Sequence, residues 1–331
     1  MKICATLLIL SLISLLIILA GLLVGTRSLK LQQLWPILTA PNGQIESILV
    51  WTLRLPRSLA AFTAGAGLAV SGYLLQMLTR NPLAGPGLTG ATAGAVTPIV
   101  FCFVYLPAIS SVYYPFIGMA GALTASAITL LIAGHGQNNP LHLALGGISI
   151  SLFLNALTTY LILASGAQVP SLLFWLTGGL QGRSWPQLPP MLPWVIIAIC
   201  GTFYCRRVLE LLSLDPQMAA SMGLDIRFWK PCLLILAILP VAGIVPVAGP
   251  VAFVGLAAPH IARLLGQNNQ TQTLIFCIFL GGSMVSLADI IARTIAAPQE
   301  LPVSIITALI GGPVFIYLAQ KRSISSTENS R

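Results

Sequence analysis

Residues 58–78 read SLAAFTAGAGLAVSGYLLQML, and this stretch decides the class of fold. It holds no charged side chain, and as an α-helix rising 1.5 Å per residue it would be about 32 Å long. That length matches the roughly 30 Å hydrocarbon core of a lipid bilayer. Small residues let neighbouring membrane helices approach closely, so Gly65, Gly67 and Gly72 predict tight packing. The stretch therefore predicts a transmembrane helix with close helical neighbours.

The rest of the chain repeats this pattern. Hydrophobic residues make up 56% of the 331 positions and charged residues only 7%, whereas a soluble domain carries roughly 25% charged residues. So few charges could not cover a soluble particle of this size, and we predict an all-α membrane protein. Apolar runs that end at charged, proline or asparagine residues predict about ten transmembrane helices. The predicted spans are residues 4–24, 57–78, 90–106, 113–134, 143–165, 190–206, 228–247, 250–266, 272–292 and 303–320.

The two ends of the chain need separate interpretation. The start of the chain, Met1–Gly25, resembles a secretory signal peptide because Lys2 is followed by an apolar run. The apolar part of a signal peptide has only about 7–15 residues and leads to a small-residue cleavage site. This run is longer and no such site is clear, so we interpret it as a retained first span. We assign residues 1–322 to a single transmembrane domain, and we expect the polar tail 323–331 to be disordered and cytoplasmic.

Lysine and arginine residues predict the orientation. With ten spans both termini lie on the same side, and the loops of that side hold ten of the 16 basic residues. Loops rich in basic residues stay in the cytoplasm, so both termini are predicted to be cytoplasmic. The formal net charge of +9 is scattered between apolar runs and forms no stripe. This distribution favours membrane lipid and acidic protein partners, and no nucleic acid.

The sequence shows no site for covalent chemistry. None of the six cysteines forms a CxxC pair, and no histidine has carboxylate or cysteine neighbours at metal-ligand spacing. The chain has no GxxxxGK[ST] motif to hold ATP phosphates, and no nucleophile–base pair stands out. We therefore predict that the chain is not an enzyme and has no catalytic residue, no metal site and no cofactor of its own.

The longest polar stretch inside the chain is Arg206–Lys230. Within it Asp215 can cap a helix, Pro216 suits the first helical position and Gly223 can end the helix. A short helix over residues 217–222 with an apolar side is predicted. It could lie on the lipid surface or dock on a cytoplasmic protein, and the residues favour both interpretations about equally.

Two other features have both a structural and a functional interpretation. The second span ends in TRNPLAGPG, residues 79–87, where dense proline and glycine force a non-helical turn. This turn is either a simple connection or a gate, because irregular backbone at membrane depth is tolerated only inside protein or beside water. Asp289 and Arg293 are four residues apart near the outer end of the ninth span, which predicts a helical ion pair. Arg293 could also contact a partner, since a guanidinium has five donors.

Several long motifs resemble the FecCD family of ABC-transporter permeases. The first is RLPR (54–57) followed by GAGLAVSGYLLQMLTRNPLAGPGLTGATAGA (65–95), and the second is GPVAFVGLAAPHIARLLG (249–266). The others are ADIIARTIAAPQELPVSIITALIGGPVFIYL (288–318), FWLTGGLQGRSW (174–185) and LLSLDPQMAASMGLD (211–225). Together they cover nearly the whole chain in the family's order. The resemblance implies a bundle like that of a type II ABC importer permease, a second permease subunit that is identical or paralogous, two cytoplasmic ATPase subunits that bind ATP, and an extracytoplasmic substrate-binding protein.

The resemblance also implies roles for individual residues. Arg54, Arg57 and Arg293 match arginines that receive carboxylates of the binding protein. Asn81 and Leu83 match positions near the cytoplasmic gate. The coupling helix, which sits in an ATPase groove, matches Asp215, Pro216, Gln217, Ala219, Ala220 and Gly223.

Two positions depart from the family pattern. Gly85 stands where the family usually has an acidic residue, which removes any charge assigned to the gate loop. Ser304 stands where the family usually has glycine, which alters packing at the start of the last span. The motifs on either side of both positions still match, so neither departure changes the assignment.

We therefore expect the transmembrane permease subunit of an ATP-driven importer for an iron(III)–siderophore or related iron chelate. It would work by alternating access in the bacterial cytoplasmic (inner) membrane. Import of haem or vitamin B12 by the same ABC mechanism is one alternative. The other is an ion-coupled secondary transporter, which needs an intramembrane carboxylate or histidine, and only Asp289 is a candidate.

Overall fold

The structure, a computed structural model, describes residues 2–25, 29–41, 43–134, 140–166, 170–214, 216–265, 269–297 and 299–313. Within these ranges the regular elements are helices and there is no strand. In the first half they are α1 (Lys2–Leu23), α2 (Leu31–Thr39), α3 (Ile45–Ile48), α4 (Leu55–Thr79), α5 (Ala91–Tyr105), α6 (Tyr114–Gly134) and α7 (Pro140–Ala164). In the second half they are α8 (Pro170–Leu176), α9 (Leu188–Tyr204), α10 (Arg206–Ser213), α11 (Pro216–Ser221), α12 (Ile226–Ala248), α13 (Val254–Leu264), α14 (Gln270–Thr294) and α15 (Val303–Pro313).

Seven helical stretches within the described ranges are long and apolar enough to cross a membrane. They are Ala5–Leu23, Ile45–Thr79, Ser111–Ile132, Leu145–Ala164, Trp185–Tyr204, Ile226–Ala248 and Gln270–Thr294. The shorter helices α5, α13 and α15 coincide with the three remaining predicted spans. The all-α membrane fold is thus confirmed, and each of the ten predicted spans contains a helix. Residues 314–320 of the last span and the tail 323–331 lie outside the described residues.

The eighth predicted span, residues 250–266, is less regular than expected. Its helix α13 has 11 residues, which rise about 16 Å and so cover roughly half of a bilayer core. Residues 249–253 before it are not helical. Gly249 and Val251 in this segment are buried, and a Cβ on Gly249 would lie 2.1 Å from the Trp175 carbonyl oxygen, whereas Ala252 is exposed. Irregular backbone at membrane depth is tolerated where protein surrounds it or where it lines a watery cavity, and the close approach of Gly249 to Trp175 meets the first condition.

Helix α4 forms the centre of the bundle and packs against α9, α12, α13 and α14. Two of its glycines, Gly65 and Gly72, face the backbones of these neighbours, and Gly67 faces side chains of α9 and α12. A Cβ on Gly65 would lie 2.1 Å from the Gly281 carbonyl oxygen of α14. A Cβ on Gly72 would lie 1.7 Å from the Gly255 carbonyl oxygen of α13. The close packing predicted from these small residues is therefore confirmed.

The start of the second span differs from the prediction. It was predicted at residue 57, but the helix continues backwards through a π-helical segment, Leu49–Arg54, to α3. Such π-helical turns inside α-helices are often found at functional sites. This one ends at Arg54, close to one end of the bundle where several helices terminate.

Candidate functional site

Three helix ends meet at one end of the bundle: the C-terminus of α1, the N-terminus of α4 and the C-terminus of α14. The last carbonyl groups of a helix have no partner within that helix. Arg54 Nη1 donates hydrogen bonds to the carbonyl oxygens of Leu22 at 2.7 Å and Leu23 at 3.0 Å. Arg293 donates to the carbonyl oxygen of Gly21 at 3.3 Å. Cations at this position also complement the helix dipole. Two of the predicted docking arginines therefore stabilise the end of α1.

Arg57 joins the same end of the bundle through two carboxylates. Its Nε donates to Asp289 Oδ1 at 3.0 Å, and its Nη2 lies 2.9 Å from the same oxygen. Its Nη1 lies 3.1 Å and 2.9 Å from the two carboxylate oxygens of Glu300. Asp289 also pairs with Arg293 at 3.2 Å, which is the ion pair that the sequence predicts. Asp289 therefore lies between two guanidinium groups and connects α4 to α14.

We call Arg54, Arg57 and Arg293 the arginine cluster, and all three are buried. Their exposed fractions are 5%, 8% and 6%. The Asp289 side chain is 1% exposed and that of Glu300 is 20% exposed. Three cations and two carboxylates leave these five side chains with a formal charge of +1. The sequence predicted that the arginines lie at one end and that Arg293 pairs with Asp289, but it predicted neither their burial nor the carboxylate partners of Arg57.

A further guanidinium lies in the loop between α8 and α9. Arg183 is half-buried, and this burial lowers the pKa of its guanidinium. Its buried Nε has no hydrogen-bond partner in the described part of the chain. Trp185 Nε1 donates to the Trp51 carbonyl oxygen at 2.7 Å, which ties this loop to the π-helical segment before α4. Arg183 therefore belongs to the same end of the bundle as the arginine cluster.

The opposite end of α4 carries the predicted gate. Asn81 Oδ1 accepts a hydrogen bond from the Leu83 N–H at 2.9 Å, which is an Asx turn. The Ala84 N–H donates to the Asn81 carbonyl oxygen at 3.0 Å. Asn81 and Leu83 are both half-buried. The non-helical turn expected at residues 79–87 is present, and Asn81 determines its local shape. We call these residues the gate turn, after their predicted role.

The predicted short helix after α10 is present as α11. Four predicted coupling residues lie in it: Pro216, Gln217, Ala219 and Ala220. Gly223 follows with φ of +85°, in the left-handed region that commonly ends a helix. Ala219 is fully buried and Ala220 is exposed. Asp215 lies outside the described residues.

Helices α10 and α11 are attached to the bundle on one side and open on the other. Leu209 and Leu212 of α10 are buried, and α10 packs against α4 and α14. Met218 and Met222 are 61% and 63% exposed. Methionine side chains are flexible and adapt to partner surfaces. Helix α11 and the residue after it therefore expose apolar side chains, Met218 and Met222, at this end of the bundle.

A polar seam between α4, α13 and α14 was not predicted. Gln76 Nε2 donates to the Leu256 carbonyl oxygen at 3.3 Å, and its side-chain oxygen accepts from Arg263. Tyr73 Oη donates to Gln270 Oε1 at 2.5 Å. The signal was available in the sequence, because Tyr73 and Gln76 are polar residues three positions apart within an apolar span. These hydrogen bonds attach the C-terminal half of α4, next to the gate turn, to α13 and α14.

The two ends of α4 are suited to binding partners, with no arrangement for covalent chemistry among the described side chains. Within the same residues no group of three His, Cys, Asp or Glu could hold a metal ion. Guanidinium groups bind carboxylates through two parallel hydrogen bonds, so the arginine cluster suits an acidic partner. Helix α4 has 25 residues and would be about 37 Å long. It connects the arginine cluster to the gate turn.

Comparison with known proteins now assigns the chain. The model of the FecCD transport family matches residues 12–321. The chain belongs to the FecCD transport family. This match includes all the motifs on which the resemblance was based, and it contains the arginine cluster, the gate turn and α11.

The relatives of this FecCD protein are permease proteins. It is 37% identical to YfmD, the Fe(3+)-citrate import system permease protein of Bacillus subtilis (strain 168), over 91% of this chain and 90% of that protein. It is 36% identical to BtuC, the vitamin B12 import system permease protein of Yersinia pseudotuberculosis serotype O:1b (strain IP 31758), over 82% of this chain and 81% of that protein. An inward-facing structure of a metal-chelate type ABC transporter is similar with a TM-score of 0.81 and 29% identity, covering 96% of this chain and 99% of that chain.

Proposed function

We propose that this FecCD protein is the membrane-spanning permease subunit of an ATP-driven importer for a ferric chelate. The observation that carries the proposal is its 37% identity to an Fe(3+)-citrate permease over 91% of the chain. Ferric citrate and ferric siderophores both present iron(III) inside an organic chelator, so we assign the substrate to this class. Vitamin B12 is the competing substrate, because the vitamin B12 permease is 36% identical.

ATP would be bound and hydrolysed by two separate cytoplasmic ATPase subunits. The chain lacks the GxxxxGK[ST] motif that holds ATP phosphates. Helix α11, with Met218 and Met222 exposed, is the surface that we assign to the ATPase groove. Closure of the ATPase dimer would move α11 and, through it, the ends of the spanning helices. Coupling of this kind requires that both ends bias the same two-state element.

The arginine cluster would receive a substrate-binding protein on the extracytoplasmic side. The formal charge of +1 on the five clustered side chains favours an incoming carboxylate. Because Arg57 already pairs with Glu300, a carboxylate of the binding protein would compete with Glu300 for this guanidinium. Docking would therefore exchange one ion pair of Arg57 for another. The guanidinium would keep a carboxylate partner throughout, so it would not be left buried without a counter-charge.

The gate turn would close the path on the cytoplasmic side. Asn81 holds Leu83 in an Asx turn, so a shift of α4 would move both residues together. We place the protein in the bacterial inner membrane with both termini in the cytoplasm, as the distribution of basic residues predicts. A second permease subunit, identical or paralogous, would complete the path.

Uptake by the reconstituted importer tests the substrate class. The permease, ATPase and binding protein would be placed in liposomes, and radiolabelled ferric citrate, a ferric hydroxamate siderophore, haem and cobalamin supplied one at a time. We expect ATP-dependent uptake of a ferric chelate above that of haem and cobalamin. Liposomes without internal ATP are the control. Uptake of cobalamin alone would show that the substrate assignment is wrong and the permease function right.

A further inference from the structure

The end of α4 contains an unusual backbone conformation. Among the described residues, two that are not glycine have φ in the left-handed region, namely Arg80 at 51° and Phe253 at 66°. This region is disfavoured for residues with a Cβ. A residue stays in it when surrounding interactions hold it there, and such residues cluster at switch regions. Arg80 therefore calls for an explanation beyond helix termination, which glycine would provide at no steric cost.

The Arg80 side chain supplies that explanation. Its Nη2 donates to the Leu212 carbonyl oxygen at 3.1 Å and also to the Leu214 carbonyl oxygen. Leu212 lies in the last turn of α10 and Leu214 is its C-cap. Carbonyl groups at the end of a helix lack intrahelical partners, and a cation there complements the helix dipole. One guanidinium thus joins the end of α4 to the end of α10.

This connection lies between the two features that face the cytoplasm in the proposed function. On one side, Asn81 follows Arg80 directly and shapes the gate turn. On the other side, α11 begins at Pro216, two residues after Leu214. Helix α10 also packs against α4, and its Leu209 and Leu212 are buried. A displacement of α11 therefore reaches α4 through a charged hydrogen bond close to α11 itself.

We propose that Arg80 is a positioning residue that transmits movement between the coupling helix α11 and α4 with its gate turn. The inference rests on the proposed function, because it assigns α11 to an ATPase. Since α4 is one continuous helix from Leu55 to Thr79, it also connects Arg80 to Arg57 in the arginine cluster. Signals from both partners then meet in one rigid element.

The contact itself can be tested on the purified permease by hydrogen–deuterium exchange. The reporters are the amides that close α11: Met222, Gly223 and Leu224, which donate to carbonyl groups of the helix at 3.0–3.1 Å. Arg80→Ala should speed their exchange about tenfold, because a charge-assisted hydrogen bond that holds the segment is lost. Arg80→Lys should restore part of the protection, since an ammonium can still donate to carbonyl groups. Unchanged exchange in Arg80→Ala would overturn the inference.

Arg207→Ala is the matched control. Arg207 is exposed on α10, the helix whose end Arg80 contacts, and its removal deletes one positive charge at the same end of the bundle. We expect wild-type exchange in this variant. Faster exchange in Arg207→Ala as well as in Arg80→Ala would show a general charge effect and overturn the specific role of Arg80.

The transmission can be tested in the assembled importer by ATP hydrolysis with and without the binding protein. We expect that stimulation by the binding protein falls towards one in Arg80→Ala, is intermediate in Arg80→Lys and stays at the wild-type ratio in Arg207→Ala. A purely structural role would lower both rates together and leave this ratio unchanged, which would overturn the inference alone. A wild-type permease that recruits no ATPase would contradict the proposed function itself.

Discussion

Asp289 is the carboxylate that joins two members of the arginine cluster. It is 1% exposed and pairs with both Arg57 and Arg293. Charges inside a membrane protein are costly unless they are paired, and removal of one partner leaves the others uncompensated. Its two arginine partners also explain why Asp289 is a poor candidate for a proton relay, since a relay needs a carboxylate that can gain and lose a proton.

Asp289→Asn should destabilise the permease. The change keeps the shape of the side chain but leaves two buried guanidinium groups without their common counter-charge, which should cost about 3–5 kcal/mol. The thermal unfolding midpoint of the purified permease in detergent measures this loss. Glu300→Gln should lower the midpoint less, because the Glu300 side chain is 20% exposed. Equal midpoints for Asp289→Asn and the wild type would contradict the network.

Glu300→Gln should also strengthen docking of the binding protein. If a partner carboxylate competes with Glu300 for Arg57, removal of the internal carboxylate should raise the affinity about tenfold, as expected for a charged hydrogen bond. Surface plasmon resonance at low salt measures the affinity. Glu46→Gln removes a carboxylate from α3 at the same end of the bundle and is the control for overall charge. Weaker binding by Glu300→Gln would show that Glu300 supports docking.

At the scale of elements, α4 owes its central position to its small residues. Gly65 and Gly72 place its backbone against the backbones of α14 and α13. Close approach of this kind provides van der Waals contact over a long interface, which is what associates helices in lipid. The same packing makes α4 a rigid connection between the arginine cluster and the gate turn.

Gly72→Ala should prevent normal assembly of the bundle. The added Cβ would lie 1.7 Å from the Gly255 carbonyl oxygen, and a backbone atom cannot move aside as a flexible side chain can. The cost should reach or exceed the roughly 1–3 kcal/mol of ordinary overpacking. The yield of monodisperse protein and its unfolding midpoint measure the effect. Gly312→Ala is the control, because a Cβ there meets nothing within 4 Å. A wild-type midpoint in Gly72→Ala would refute the close contact.

The sequence predicted elements better than it predicted contacts. Apolar length and small residues identified the spanning helices and the tight packing of α4, because both depend on local composition. Pro216 and Gly223, residues that suit the start and the end of a helix, likewise predicted α11. The pairing of Arg57 with Glu300 joins positions 243 residues apart, and no local pattern encodes such a contact. A partial signal existed, since the predicted topology places Glu46 and Glu300 in outer loops and Asp289 near the outer end of the ninth span.

The interruption before α13 and the role of Arg80 also escaped sequence reasoning. Hydropathy counts apolar residues and does not register that Gly249 lets the backbone approach Trp175. Arg80 was counted only as a cytoplasmic charge, because its contact with Leu212 depends on how α10 packs against α4. Both features arise from tertiary packing. They depend on contacts between segments that are distant in the sequence, so a local sequence pattern does not predict them.

At the scale of the whole molecule, the protein is a membrane bundle with a proposed binding surface at each end. The arginine cluster lies at one end of α4, and the gate turn with α10 and α11 lies at the other. The fold matches that of a metal-chelate type ABC transporter with a TM-score of 0.81. An arrangement with a partner at each end suits a permease whose transport is driven by ATP hydrolysis in separate subunits.

The central claim is that ATP hydrolysis by partner subunits drives transport. The most direct test is uptake of radiolabelled ferric citrate into liposomes that hold the permease and its ATPase, with the binding protein outside and ATP inside. We predict uptake that requires both ATP and the ATPase and that persists when a protonophore removes the proton gradient. Uptake that continues without the ATPase and stops with the protonophore would contradict it.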